Sequence, residues 1–200
     1  MINKDGTMSG HRLHLLLASG YVLLIYASSG RMRDLSNLAR RLFGESLNLL
    51  MTLGLLLVLA GILLAARHLL DRRRVLPLLP ILLAYGIVLW WLKIPEERFH
   101  LLQYGVLCFL GNKALPETIQ GYSRYLLVLS LVTLAGIGDE IIQWLRPNRV
   151  GDVRDVLINF IAALLAQALI MILSRKSREK TDLQTSGVQS NSVDHQSSIL

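Results

Sequence analysis

Six stretches of apolar residues, separated by short polar segments, set the pattern of this chain. Most of them approach the roughly 20 residues that an α-helix needs to cross a lipid bilayer. The first stretch is shorter and runs into Ala27-Ser28-Ser29-Gly30, so it fits either a short first span or a signal peptide. The pattern predicts an all-α, polytopic transmembrane bundle of about six helices, with spans at 13–26, 46–66, 75–92, 96–115, 125–144 and 153–173.

Polar segments flank and interrupt this single membrane domain, which we place at residues 13–173. Residues 1–12 form a polar N-terminus. Residues 174–200 begin with SRKSREK and become rich in Ser and Gln, so with few apolar side chains to bury they are predicted to be a disordered, basic and polar cytoplasmic tail. Within 31–45, apolar residues recur at helical spacing, which predicts an amphipathic helix on the membrane surface or, alternatively, an ordinary solvated connection.

Composition and charge narrow the class of protein. Hydrophobic residues make up 52% of the chain and charged residues only 18%, which is too apolar for an ordinary soluble domain. The net charge of +7 is concentrated between apolar segments, as in membrane proteins, which argues against a nucleic-acid partner. The basic clusters at 67–74 and 175–180 predict the cytoplasmic side, although the arginine-rich segment 31–41 then falls outside, against the same rule. The single cysteine, Cys108, excludes an intramolecular disulfide and a cysteine metal site.

Alternation of the spans places the turns at 93–98 and 146–152 on one face of the membrane, and the charge rule makes that face extracytoplasmic. Ionisable residues concentrate beside both turns. Three sets of polar residues are each spaced along one face of a helix, namely His100 with Tyr104, Asp139 with Gln143, and Asp152 with Asp155 and Asn159. Because the sets lie at similar depth, the sequence predicts a polar pocket that opens to the extracytoplasmic side.

The spaced motifs in this region resemble those of the VanZ-like membrane family. Residues 100–107 resemble the signature H-x-x-x-Y-x-x-L, and 139–143 resemble D-E-x-x-Q. P-x-R follows at 147–149, and D-x-x-D-x-x-x-N at 152–159. The resemblance covers about 96–170, which we take as the motif core, and residues 21–29 resemble the family's opening segment. It implies a multi-pass protein of the bacterial cytoplasmic membrane. The founding member is associated with resistance to the glycopeptide teicoplanin, and most relatives have no established biochemical activity.

Two functional hypotheses use the predicted pocket. In the first, the protein binds or modifies a cell-envelope component, and the ligand-binding residues are Tyr104, Gln143, Arg149, Asp152, Asp155 and Asn159. Nearby arginines would hold a phosphate or carboxylate head group or, alternatively, only neutralise the acids and meet lipid phosphate; they are Arg98, Arg146, Arg149 and Arg154.

In the second hypothesis the protein is an enzyme that acts on a lipid-linked or phosphorylated envelope substrate. His100 would be the general acid or base, with Asp139 or Glu140 as its catalytic partner. The simpler alternative is a hydrogen bond from His100 to a neighbouring acid. Transport is less favoured, because the ionisable residues cluster at one face and do not cross the membrane.

The sequence requires no cofactor. Oxygen ligands from the acids of the predicted pocket would suit Mg²⁺ or Mn²⁺, although no known metal motif or nucleophile signature is present. The acids in question are Asp139, Glu140, Asp152 and Asp155. The expected partners are membrane lipids and an envelope lipid or another phosphate-bearing ligand. The sequence gives no oligomeric state.

Overall fold

The computed structural model describes residues 10–70, 72–145 and 153–174, and these residues form seven α-helices and no strand. The helices are α1 (Gly10–Ser28), α2 (Met32–Phe43), α3 (Ser46–Ala65), α4 (Arg72–Trp91), α5 (Pro95–Ala114), α6 (Tyr122–Trp144) and α7 (Val153–Ser174), with one 3-10 turn at Arg67–Leu69. The six long helices correspond to the six predicted spans, and α2 to the predicted amphipathic helix. The prediction of an all-α, polytopic membrane bundle is confirmed. The predicted polar start and disordered tail fall mostly on residues 1–9 and 175–200, outside the described residues.

Four of the described helices are long and apolar enough to cross a membrane, judged by length and composition: Ser46–Ala65, Arg74–Trp91, Tyr122–Trp144 and Val153–Ser174. α3 shows the pattern most clearly, because it contains no charged residue and buries only Leu47 inside the protein. A helix that is apolar on every side yet hardly buried has its surface left for lipid. α1 and α5, also predicted as spans, fall outside this group of four because polar and charged residues interrupt them.

α5 is the central helix of the bundle and packs against α7, α1, α6 and α3. Its buried side chains include Glu97, Gln103 and Tyr104 as well as apolar residues. Lipid offers no hydrogen-bond partners, whereas neighbouring helices do. A helix enclosed by protein can therefore carry polar residues at depths where a lipid-facing helix cannot, which is why hydropathy alone does not single out α5.

The apolar core lies where α5, α6 and α7 meet. Small residues on α7, among them Ala162, Ala163 and Ala166, are buried there and allow the helices to approach closely. α1 adds Ile25 to the same core, and its Tyr26 hydroxyl donates to the backbone carbonyl of Ala135 on α6 at 3.1 Å.

α2 lies against the start of α5. Arg40 forms a salt bridge with Glu96 at 2.7 Å, and the Ser36 hydroxyl donates to the same carboxylate. The face of α2 away from these contacts is exposed and apolar, with Leu35, Leu38 and Leu42. α2 is therefore amphipathic, as the spacing predicts, with its polar face on α5 and its apolar face uncovered. Its location on the membrane surface stays a prediction.

Candidate functional site

One end of the bundle is tied together by a buried carboxylate, Glu97, in the first turn of α5. Its Oε1 atom forms a salt bridge with Nη1 of Arg154 on α7 at 3.0 Å. Its Oε2 atom accepts from the backbone N–H groups of Lys93 and Ile94, at 3.0 and 3.4 Å, and so satisfies donors at the start of α5. The Arg154 guanidinium also lies 5.0 Å from the centre of the Trp91 ring at the end of α4. These contacts bring the starts of α5 and α7 to one place.

Two adjacent acids on α6, Asp139 and Glu140, reach the same end of the bundle and are buried. The Gln143 side-chain amide donates to Asp139 Oδ2 at 3.2 Å and to Glu140 Oε1 at 3.3 Å. The Tyr104 hydroxyl of α5 lies 3.5 Å from the same Asp139 oxygen. Buried carboxylates are costly unless they are hydrogen-bonded or paired with a positive charge. They therefore depend on donors and cations from their surroundings.

His100 faces these acids from α5. Its ring stacks on Tyr104, with ring centres 6.0 Å apart and planes inclined by 23°. One ring nitrogen of His100, one carboxylate oxygen of Glu140 and one of Asp155 all lie within 4.8 Å of one another. Three helices, α5, α6 and α7, thus each deliver one potential metal ligand or proton-transfer group to a single point.

Asn159 lies one helical turn beyond Asp155 on α7 and is 2% exposed. A Cβ atom on Gly136 would lie 3.0 Å from the Asn159 Cβ and 3.3 Å from Tyr104 Cε1, so glycine permits the close approach of α6 to α7. Within the described residues, neither polar atom of the Asn159 side chain has a hydrogen-bond partner. Buried amides normally have such partners, because an unsatisfied one is costly.

A cavity of about 50 Å³ lies among these helix ends and the end of α1. Its polar lining consists of Ser28, Ser29, Glu96, Glu97, His100, Gln103, Asp139, Gln143 and Asp155. Pockets for drug-sized molecules usually measure about 300–1,000 Å³. The volume found here suits an ion, a few water molecules or one small polar head group.

The structure brings together seven of the predicted site residues: His100, Tyr104, Asp139, Glu140, Gln143, Asp155 and Asn159. Arg149 and Asp152 lie outside the described residues. The catalytic and ligand-binding roles of all nine stay predictions. Sequence reasoning did not include Gln103 in the site. Its position as a polar residue one turn after His100, within an apolar stretch, could have indicated it. Sequence reasoning also missed Ser28 and Ser29, because nothing local indicates that the end of α1 reaches the site.

The arginines considered for an anionic head group are placed differently from one another. Arg98 donates to the backbone carbonyls of Asn48 and Leu92, at 2.6 and 2.9 Å, and so holds α3 and α4 against α5 without lining the cavity. Arg154 pairs with Glu97, and Arg146 and Arg149 lie outside the described residues. Among the residues that the structure describes, no lysine or arginine lines the cavity. The described wall includes four carboxylates, of which Glu96 pairs with Arg40 and Glu97 with Arg154.

Comparison with known families gives a match to the family model described as VanZ/LLP1 over residues 14–174. The match includes every residue of the described cavity wall and reaches well beyond the motif core at 96–170, into α1–α4. Comparison with curated proteins and with solved structures gives no match.

Proposed function

This chain belongs to the VanZ/LLP1 family, and we propose that it binds a component of the cell envelope through the cavity shared by α5, α6 and α7. The observation that supports the proposal most is the set of buried carboxylates beside that cavity in a membrane bundle, with Asp139 2% exposed. Ionisable residues inside membrane segments are rare and usually functional. The setting that we propose is the bacterial cytoplasmic membrane.

The proposed orientation opens the cavity to the extracytoplasmic side. The basic loop that contains Arg67 and His68 then faces the cytoplasm, in agreement with the positive-inside rule. The arginine-rich segment 31–41 falls on the outer side, but Arg40 is bound to Glu96. Pairing of that charge reduces the conflict between this segment and the rule.

The size of the cavity limits what part of a ligand enters it. A volume of about 50 Å³ accepts a small polar head, and the rest of the molecule would remain outside, along the bundle or in the lipid. A lipid-linked or phosphate-bearing envelope component has this character. A role in glycopeptide resistance would follow if binding withheld or altered the component on which the antibiotic acts.

The second candidate is a membrane-embedded enzyme that acts on a lipid-linked or phosphorylated substrate. The observation that favours it is the short distance, under 4.8 Å, between a His100 ring nitrogen and carboxylate oxygens of Glu140 and Asp155. An imidazole beside carboxylates is a common general acid–base arrangement. Glu140 and Asp155 are therefore the partners that we propose for His100 in this second candidate.

The test compares function with abundance in the membrane. His100→Gln and Asp139→Asn keep approximate shape and hydrogen bonding, and Glu117→Gln, at an exposed position before α6, is the matched control. Each variant is produced in a teicoplanin-susceptible bacterium, and its membrane level, the teicoplanin susceptibility and the envelope lipids that co-purify with it are measured. We expect normal levels, with loss of protection and of bound lipid only in the two site variants. If both site variants keep full function, or if they lose function only in proportion to a lower membrane level, the polar site has a structural role and the proposal is wrong.

A further inference from the structure

Two of the acids considered from the sequence for Mg²⁺ or Mn²⁺, Glu140 and Asp155, meet His100 in the structure. We propose that these three side chains bind one divalent transition-metal ion. Their potential ligand atoms lie within 4.8 Å of one another. Metal–ligand distances of about 2.0–2.2 Å place ligand atoms roughly 3–4.3 Å apart around one ion. Side-chain rotations that bring the three ligand atoms about 1 Å closer to one another would complete the coordination.

The three ligands are held by supporting contacts. Gln143 donates to the Oε1 atom of Glu140 at 3.3 Å, and the His100 ring stacks on the buried Tyr104. The Arg154–Glu97 salt bridge fixes the first turn of α7, which carries Asp155, against the first turn of α5. Metal-ligating side chains are normally oriented by such outer contacts, which limit the freedom of the ligands before the ion arrives.

Asn159 supplies an independent observation. It follows Asp155 by one turn on α7 and packs against Gly136, which precedes Glu140 by one turn on α6. Its amide therefore lies one turn beneath the Glu140–Asp155 pair. Asn159 is only 2% exposed, and its polar atoms have no hydrogen-bond partner among the described residues. A water molecule bound to the proposed ion would give this amide a partner.

The donor set indicates which ions fit. One imidazole and two carboxylates suit Zn²⁺ or Mn²⁺, whereas Ca²⁺ and Mg²⁺ prefer sites made only of oxygen atoms. Three protein ligands leave at least one coordination position for water or for an oxygen atom of a ligand. Two of the three proposed ligands, His100 and Asp155, also line the cavity.

An ion at this point would also give an anionic ligand a positive partner beside the cavity. The described cavity wall includes four carboxylates, Glu96, Glu97, Asp139 and Asp155. A divalent cation held by His100, Glu140 and Asp155 would offer a phosphate-bearing head group a positive partner. This last step rests on the proposed function, whereas metal binding itself does not.

The test uses the full chain, purified in detergent, stripped with a chelator and titrated with Zn²⁺, Mn²⁺ and, as a spectroscopic probe, Co²⁺. We expect one ion per chain for the wild type. His100→Gln, Glu140→Gln and Asp155→Asn should each weaken binding by at least about 100-fold, more than the usual loss of an outer contact. The controls are His14→Gln on α1 and Glu117→Gln, which should bind as the wild type does.

A second measurement keeps the test valid if the ligand variants fail to fold, because it uses the wild type. Pulsed electron paramagnetic resonance of Mn²⁺ on the wild type should show coupling to an imidazole nitrogen, and this coupling should persist in His14→Gln. A folded wild type that binds none of the three ions stoichiometrically overturns the proposal, as does unchanged affinity in the three ligand variants. Metal binding without any envelope phenotype would support the metal site and contradict only the proposed function.

Discussion

Removal of the Arg154 side chain tests how the site is held together. Arg154→Ala leaves Glu97, which is 3% exposed, without its ion pair, although its two backbone N–H donors remain. Fully exposed ion pairs contribute about 0–1 kcal/mol, and breaking fully buried ones costs about 3–5 kcal/mol. The Arg154 side chain is 43% exposed, so we take about 2 kcal/mol for the pair. Loss of its contact with Trp91 adds about 0.5–1 kcal/mol. We expect a total destabilisation of about 2–3 kcal/mol.

The assay is thermal unfolding of the purified protein in one detergent, followed for the wild type, Arg154→Ala, Glu97→Gln and the double variant. A loss of 2–3 kcal/mol corresponds to a fall in the melting temperature of roughly 4–12 °C for a chain of this size. The double variant should be less destabilised than the sum of the single variants, with a coupling of at least about 1 kcal/mol. Coupling below about 0.3 kcal/mol would refute the view that this pair joins α5 to α7.

Two further predictions concern helix packing and orientation. Gly136→Ala should destabilise the protein by about 1–2 kcal/mol, because its Cβ would crowd the Asn159 Cβ, whereas Gly86→Ala, with open space around it, should be neutral or stabilising when both are compared by thermal unfolding. Asn148→Cys, with Cys108 changed to Ala, should react with a membrane-impermeant thiol reagent in intact cells. Protection of that cysteine, with labelling only after lysis, would show that the orientation is inverted.

Part of the site was accessible from residue spacing alone. Asp139 and Gln143 are four residues apart on one helix, so their hydrogen bond follows from helix geometry wherever α6 lies. Alternation of spans likewise predicted that the start of α5 and the turn after α6 share one face, and the Glu97–Arg154 salt bridge joins the corresponding helix ends. Neither inference needed the packing of the bundle.

Other features depended on packing. The sequence treated Asp139 and Glu140 as equal candidates, since adjacent helical residues point about 100° apart and only the rotation of α6 decides which one meets a given neighbour. In the structure Glu140 lies close to His100 and Asp155, whereas Asp139 accepts a hydrogen bond from the hydroxyl of Tyr104. The central place of α5 was also hidden, because hydropathy reports exposure to lipid and not contact with protein.

The sequence by itself determined the helices, their approximate ends and the shared depth of the polar residues, since these follow from local periodicity and from the thickness of the bilayer. Only the tertiary structure decided which polar residues meet. Ser28 and Ser29 reach the cavity from a helix distant in sequence, and Arg98 turns to the carbonyls of Asn48 and Leu92. The physical reason is that the rotation and neighbours of each helix are set by side-chain packing between segments far apart in the chain, which no local pattern records.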